Sequence, residues 1–129
     1  MDYFPGMAVG LILMQTAIVA PILFRTLDLE SFGRSIREIW PKFFLALGAI
    51  GVLSLISVYL DQASDDIHLV LSGITVSLSL RCYLIIPATN RATDSGNHRR
   101  FNILHKLSVY STLAILLSNI AFILSLIHI

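Results

Sequence analysis

Long apolar runs alternate with short polar segments along the chain. Tyr3–Phe24, Phe43–Leu60 and Leu107–Ile127 contain no charged residue, and Ile67–Ile86 contains only Arg81. An apolar run of about 20 residues can cross the hydrocarbon core of a bilayer as a helix, so we expect each run to do so. The predicted spans are residues 4–24, 43–60, 67–87 and 105–127.

The composition excludes an ordinary soluble domain. Of the 129 residues, 56% are apolar and 13% are charged, whereas soluble domains average about 45–50% and about 25%. Four spans use most of the chain and leave room only for short connections. We therefore expect one integral membrane domain, residues 1–129, folded as an all-α four-helix transmembrane bundle of two tandem helical hairpins.

The basic residues predict the orientation of the bundle. Arginine and lysine collect in two connections, 25–42 and 91–106, while the connection at 61–66 has none. The positive-inside rule places basic connections in the cytoplasm, so we expect both termini outside a bacterial cytoplasmic membrane. A cleaved signal peptide is the alternative for the first run, but its length and Pro21 favour a retained helix.

One pattern occurs at the basic end of both odd-numbered spans. The spacing Pro-x3-Arg-x2-Asp-x5-Arg is found at residues 21–34 and again at 87–100. Either the two hairpins arose by duplication, or the same membrane-exit chemistry recurs. In the second case a proline ends or kinks each helix before basic residues reach the headgroups.

Both basic connections contain signals of local structure. Apolar residues of the first recur at helical spacing, which predicts a short amphipathic interfacial helix between the first two spans. The second contains turn-forming residues at 89–97, so we expect Asp94 or Ser95 to be the N-cap of the fourth helix. The apolar residues of the interfacial helix are Leu29, Phe32, Ile36, Ile39 and Trp40.

Polar side chains inside the spans are candidates for lining a cavity among the helices. In lipid such residues most often make close helix contacts and inter-helix hydrogen bonds, so packing is the alternative interpretation. Arg81 either lines a site for an anionic or carbonyl-bearing ligand or extends to the interface as an anchor. The candidates are Gln15, Ser72, Thr75, Ser79, Arg81 and Asn119.

A second set of candidates forms a polar layer on the cytoplasmic side. Both copies of the repeat carry an aspartate at the same offset from the arginines, which predicts ion pairs between the hairpins. The expected pairs are Asp94 with Arg25 or Arg34, and Asp28 with Arg91 or Arg100. The alternative is that these arginines bind anionic headgroups. The layer comprises Arg25, Asp28, Arg34, Arg91, Asp94, Arg100 and His105, the last a candidate pH-dependent gate.

The residues give no pattern for catalysis or metal binding. The orientation puts His68 and His128 at the outer surface, where we expect them to titrate in solvent, and His98 and His105 at the cytoplasmic side. Histidines from opposite surfaces are too far apart to bind one haem. We expect no catalytic residue, no metal and no cofactor, with haem as the alternative.

The order of several short motifs resembles the transmembrane protein 205-like family, small four-span proteins built around a domain of unknown function. The motifs are Phe24-Arg25, Trp40-Pro41, Pro87 and Phe101-x3-His105-x2-Ser108. The resemblance implies membrane residence and, from the link of animal members to platinum-drug resistance, export or trafficking. A weaker resemblance is to HemJ-type protoporphyrinogen oxidases, but the first span lacks the histidine expected of that type.

The expected function is that of an integral membrane protein, rather than an enzyme, that binds or transports a small polar or anionic solute through a cavity among its helices. The alternatives are a haem- or metal-binding redox protein and a structural partner subunit. The expected partners are the bilayer with its anionic headgroups and a second copy or another membrane protein. The net charge of +1 gives no indication of nucleic-acid binding.

Reporter fusions test the predicted orientation. A reporter inserted at Asp65 and one fused after Ile129 are both expected to read as extracytoplasmic, because the basic connections stay inside. A cytoplasmic signal from either position would contradict the prediction.

Overall fold

The computed structural model describes residues 3–61 and 65–127, which form four long helices. Each helix is long and apolar enough to cross a membrane, and the described residues contain no β-strand. The prediction of an all-α bundle with four spans is therefore confirmed. The helices are α1 (Tyr3–Thr26), α2 (Leu29–Leu60), α3 (Asp66–Asp94) and α4 (His98–Ile127).

The helices pack side by side in a ring. α3 lies between α2 and α4 and packs along both, while α1 closes the ring by packing against α2 and α4. The end that holds the α1–α2 and α3–α4 connections carries the basic residues and is called the basic end below. The apolar core at the centre of the ring consists of Ala8, Ile12, Phe43, Phe44, Leu47, Cys82 and Ile115.

α2 begins at the basic end with a side-chain cap and then continues without interruption. The Asp28 carboxylate accepts a hydrogen bond from the Ser31 amide at 2.7 Å, which satisfies one free N–H group of the first turn. Hydrogen bonding from Ser31 also lowers the pKa of the Asp28 carboxyl. The helix runs from Leu29 through Pro41 to Leu60. The predicted interfacial helix is therefore not a separate element, because its apolar stripe continues into the span.

A three-residue turn, 95–97, connects α3 to α4. The Asn97 amide donates to the Ala92 carbonyl at 2.9 Å, and the Gly96 amide donates to the Thr93 carbonyl at 3.2 Å. These two bonds close the C-terminus of α3 around a residue in the left-handed region. That residue is Gly96, with a φ of 71°, which glycine adopts at little cost.

The start of α4 differs from the prediction. Asn97, and neither Asp94 nor Ser95, is the N-cap: its side-chain oxygen accepts a hydrogen bond from the Arg100 amide at 3.1 Å. α3 extends past Pro87 to Asp94, so the turn-forming residues before Asn97 belong mostly to the end of α3.

α1 changes its helix type about half-way along. Met14–Val19 is a π-helical segment, after which the Ala20 amide donates to the Gln15 carbonyl five residues earlier. Pro21 follows directly and has no amide hydrogen, so the regular α-helical ladder cannot continue through it. A π-helical turn is one way in which a helix accommodates such a break. The proline does not end α1, which continues to Thr26.

The two halves of α1 have different neighbours. Tyr3–Leu13 packs against both α2 and α4, whereas Ala20–Thr26 packs only against α2 among the described residues. The π-helical segment therefore marks the point at which α1 separates from α4. This separation leaves a gap between α1 and α4 in the half of the bundle nearest the basic end.

Small residues bring α2 and α3 close together. A Cβ atom at Gly51 would lie 2.9 Å from Thr75 Cγ2 and 3.0 Å from Val76 Cγ2. Near this contact, Ser54 Oγ and Ser72 Oγ lie 3.1 Å apart. Close approach of small residues is a usual means of helix association in lipid, where apolar burial does not drive it.

His68 is fully buried, so the prediction that it is exposed to solvent was wrong. Its Nδ1 accepts a hydrogen bond from the Asp65 amide at 3.1 Å, which leaves Nε2 to donate to Ser125 Oγ at 2.9 Å. Ser125 in turn donates to the Phe122 carbonyl at 2.6 Å. Packing of α4 across the first turn of α3 covers the ring, and His128 lies outside the described residues.

The substitution Gly51→Ala tests how closely α2 and α3 approach. The added methyl group has no room, so we expect it to lower the free energy of unfolding by about 1–3 kcal/mol. Gly10→Ala is the matched control, since a Cβ there meets nothing within 4 Å and helix propensity favours alanine by about 1 kcal/mol. Unfolding in mixed micelles measures both changes. Equal stability of the two variants would contradict the close contact.

Candidate ligand-binding cavity

A cavity of about 700 Å³ lies among the four helices in the half of the bundle nearest the basic end. It occupies the gap where α1 has separated from α4. Its volume falls within the range of about 300–1,000 Å³ that is typical of sites for drug-sized ligands. Every helix contributes to the lining, with Thr16 from α1, Trp40 from α2, Thr89 from α3 and Leu113 from α4 among the residues.

The lining is mostly apolar along the whole cavity, and its guanidinium, amide and imidazole side chains lie toward the basic end. By their positions along the helices, the lining residues nearest the centre of the bundle are Ile12, Phe44, Ile86 and Leu116. The polar lining residues nearest the basic end are Arg37, Asn90, Thr93 and His105. This distribution fits a molecule whose apolar part lies toward the centre and whose polar part lies toward the basic end.

The first part of α2 supplies one wall. Its apolar stripe was predicted to lie in the membrane interface, but it faces the cavity, because this segment and the span form one uninterrupted helix. At Gly33, in the same wall, a Cβ would meet nothing within 4 Å, so the cavity reaches the backbone of α2. The stripe residues in the lining are Leu29, Phe32, Ile36 and Trp40.

Only some of the polar lining groups are free to donate to a ligand. The side chains of Asn90 and Ser108 make no hydrogen bond to the described residues. The ring of His105 stacks on that of Phe101, with ring centroids 5.4 Å apart. The threonines of the lining each donate to the carbonyl four residues earlier, which leaves their oxygens only as acceptors. They are Thr16, Thr89, Thr93 and Thr112, with distances of 2.7, 2.9, 3.1 and 2.8 Å.

An ion pair between Arg37 and Asp94 lies at the rim of the cavity. Both terminal nitrogens of the guanidinium donate to the carboxylate, one at 3.2 Å from Nη1 to Oδ2 and the other from Nη2 to Oδ1. The pair joins the first part of α2 to the end of α3 and so connects the two hairpins. The side chains are 40% and 62% exposed, respectively, so another anion can approach the guanidinium.

The structure contains an ion pair between the hairpins, but its arginine is not one of those predicted. Asp94 does pair with an arginine of the first hairpin, but the arginine is Arg37 and not Arg25 or Arg34. Arg34 donates to Ser31 at 3.4 Å, and Arg25 is exposed at the end of α1. Arg37 lies about one turn beyond Arg34, on the part of α2 that faces the end of α3.

The second predicted pairing is also different. Asp28 pairs with neither Arg91 nor Arg100, because its carboxylate caps α2. The two arginines line a separate depression of about 200 Å³ beside the α3–α4 turn. Of the predicted polar layer, His105 is the residue that lines the large cavity.

The six intramembrane candidates do not line this cavity. Four of them form hydrogen bonds between helices, three of them inside the bundle: Asn119 Nδ2 donates to Thr75 Oγ1 at 2.9 Å, and Ser72 contacts Ser54. These contacts correspond to the packing alternative. These polar side chains are buried where α3 packs against α2 and α4, so they contact neighbouring helices and not the cavity.

The remaining three candidates also lie away from the cavity. Arg81 is exposed on the outside of the bundle and donates to Ser111 Oγ at 2.6 Å, which links α3 to α4. Gln15 and Ser79 are buried, and among the described residues Gln15 Nε2 and Ser79 Oγ have no hydrogen-bond partner. Gln15 lies in the π-helical segment of α1, one residue before the cavity-lining Thr16.

Sequence analysis missed every polar residue of the cavity lining except His105, and the missed hydrogen-bond donors include Arg37 and Asn90. The positions of these two residues in the sequence could have identified them. Arg37 lies three residues before Trp40, and Asn90 lies four residues after Ile86. At these helical spacings each shares a helix face with an apolar lining residue. An interfacial position of the apolar stripe in the first connection would place Arg37 among the polar residues opposite it.

Four spanning helices with a cavity at one end define the protein as an integral membrane protein. A family model described as a domain of unknown function, DUF4149, matches residues 4–98, and the chain belongs to this family. The matched region includes Arg37, Asn90 and Asp94, while His105 lies beyond it. No curated protein and no solved structure shows significant similarity to the chain.

Proposed function

We propose that this membrane protein binds a small amphipathic molecule in the cavity at the basic end. The observation that carries the proposal is the lining, which is apolar over most of the cavity and has Arg37, Asn90 and His105 toward the basic end. Concave, mostly apolar sites with a few polar groups are typical of small-molecule binding. The apolar walls favour an amphipathic ligand over the fully polar solute that the sequence also allowed.

The polar group of the ligand is anionic or carries a carbonyl oxygen. Arg37 is a cationic donor at the rim, and the Asn90 amide adds neutral donors. The proposal includes passage of the bound molecule across the membrane, which the resemblance to the transmembrane protein 205-like family implies.

The haem alternative receives less support from the residues of the cavity. Among the described lining residues His105 is the one histidine, so it would be the single histidine ligand of a haem there. No three His, Cys, Asp or Glu residues within the described ranges are grouped as they would be around a metal ion. We therefore favour an organic amphiphile as the ligand.

A substitution on α2 that fills the cavity with a bulky side chain tests the proposal. Trp40 is the only tryptophan and lines the cavity, so energy transfer from it to anilinonaphthalene sulfonate, an anionic amphiphile, reports binding in zwitterionic nanodiscs. We expect saturable transfer with the wild type. Gly33→Phe places a ring in the open space and should weaken binding by about tenfold or more.

The matched control is Gly10→Phe. A Cβ at Gly10 would meet nothing within 4 Å, and Gly10 is exposed and does not line the cavity. Binding should therefore match the wild type. Equal binding by the Gly33→Phe and Gly10→Phe variants, or transfer that does not saturate in the wild type, would show that the cavity is not the site.

Substitutions in the ion pair test whether Arg37 receives the anionic group. In Asp94→Asn the guanidinium loses its competing carboxylate, so the sulfonate probe should bind several-fold more tightly. Arg37→Gln removes a charge-assisted hydrogen bond and should weaken binding by about tenfold. An uncharged probe with the same rings should respond little to either change. If both substitutions weaken the sulfonate equally, the pair serves only to hold α2 against α3.

A further inference from the structure

The route into the cavity follows from the shape of α1. After the π-helical segment α1 no longer packs against α4, yet Thr16 and Ala20 on α1 and Val109 and Leu113 on α4 all line the cavity. The two helices therefore form facing walls without closing on each other. Farther toward the centre the gap ends, because Ile12 of α1 is buried in the same apolar cluster as Ile115 of α4.

The side chains along this gap are accessible from outside the bundle. Val109 and Leu113 are each 48% exposed although they line the cavity, and Thr16 is exposed on the opposite wall. Along the gap the α1 lining residues, Thr16 and Ala20, are small, so no bulky lining side chain of α1 covers it. The cavity is open on the side between α1 and α4.

The opening lies at the depth of the hydrocarbon. Val109 and Leu113 belong to the uncharged run of α4 that begins at Leu107, and Thr16 belongs to the uncharged run of α1. In a membrane the opening therefore faces lipid tails and not water. The polar end of the cavity, with Arg37 and His105, lies at the level where the basic connections meet the headgroups.

We propose that the ligand is a single-chain anionic amphiphile, such as a fatty acid, which enters the cavity sideways from the bilayer between α1 and α4. This inference rests on the function proposed above and names its ligand class and route. The chain would pass the gap at tail depth while the anionic group moves at headgroup level to Arg37. A volume of about 700 Å³ suits a single chain, whereas a two-chain phospholipid is larger.

Quenching of Trp40 by a fatty acid brominated in mid-chain tests the route. The protein is placed in nanodiscs, and the rate and extent of quenching are measured by stopped flow after the probe is added. Val109→Phe narrows the gap, and we expect it to slow association by about tenfold, because it raises the barrier to entry. Ala20→Phe narrows the gap from the opposite wall and should act in the same way.

Leu117→Phe is the matched control on α4. Leu117 is 56% exposed and does not line the cavity, so the association rate should equal that of the wild type. Unchanged association rates in Val109→Phe and Ala20→Phe would show that the ligand enters from the aqueous side and would overturn the lateral route. Weaker affinity with an unchanged association rate would mean that the rings merely fill the cavity, and would overturn it as well.

The same experiment separates this inference from the function on which it rests. If wild-type quenching is saturable and Gly33→Phe abolishes it, the cavity is the binding site whatever the route. If quenching does not saturate, or if Gly33→Phe leaves it unchanged, the proposed function fails and the lateral route fails with it.

Discussion

The hydrogen-bond ladder of α1 cannot continue through Pro21, and the cavity depends on how the helix accommodates this break. Inside a bilayer no water is present to bind free backbone groups, so a spanning helix has to keep its hydrogen bonds internal. The π-helical turn at Met14–Val19 does so while changing the course of the residues that follow. The half before the break packs against α4, and the half after it does not. The space that is left is the cavity.

The other three helices provide a closely packed frame for this opening. α3 is held to α2 by the contact at Gly51, and to α4 by the hydrogen bonds of Asn119, Arg81 and His68. Polar contacts of this kind stabilise helix association where apolar burial contributes little. Because these groups pair with each other across the interfaces, they are not available to a ligand.

The ion pair at the rim suits a site that exchanges one anion for another. A guanidinium partly withdrawn from water needs a partner, and the Asp94 carboxylate supplies one through two hydrogen bonds. An anionic ligand that replaces this carboxylate leaves Arg37 paired throughout, so the exchange does not bury an unpaired charge. Asp94 is the more exposed partner and is readily solvated when it is displaced.

The sequence by itself determined the number of spans, the all-α class and the concentration of basic residues at one end, because length, apolar content and charge act locally along a chain. Only the tertiary structure decided what each polar residue does. Ser72 and Asn119 lie in spans, but whether they face a neighbour or a ligand depends on how closely α2, α3 and α4 pack. Likewise, the apolar stripe that includes Trp40 has the periodicity of an interfacial helix. It lines a cavity because α2 continues as a helix through Pro41 and because α1 separates from α4 after its π-helical turn. Periodicity identifies the apolar face of a helix, but the neighbouring helices decide what that face contacts.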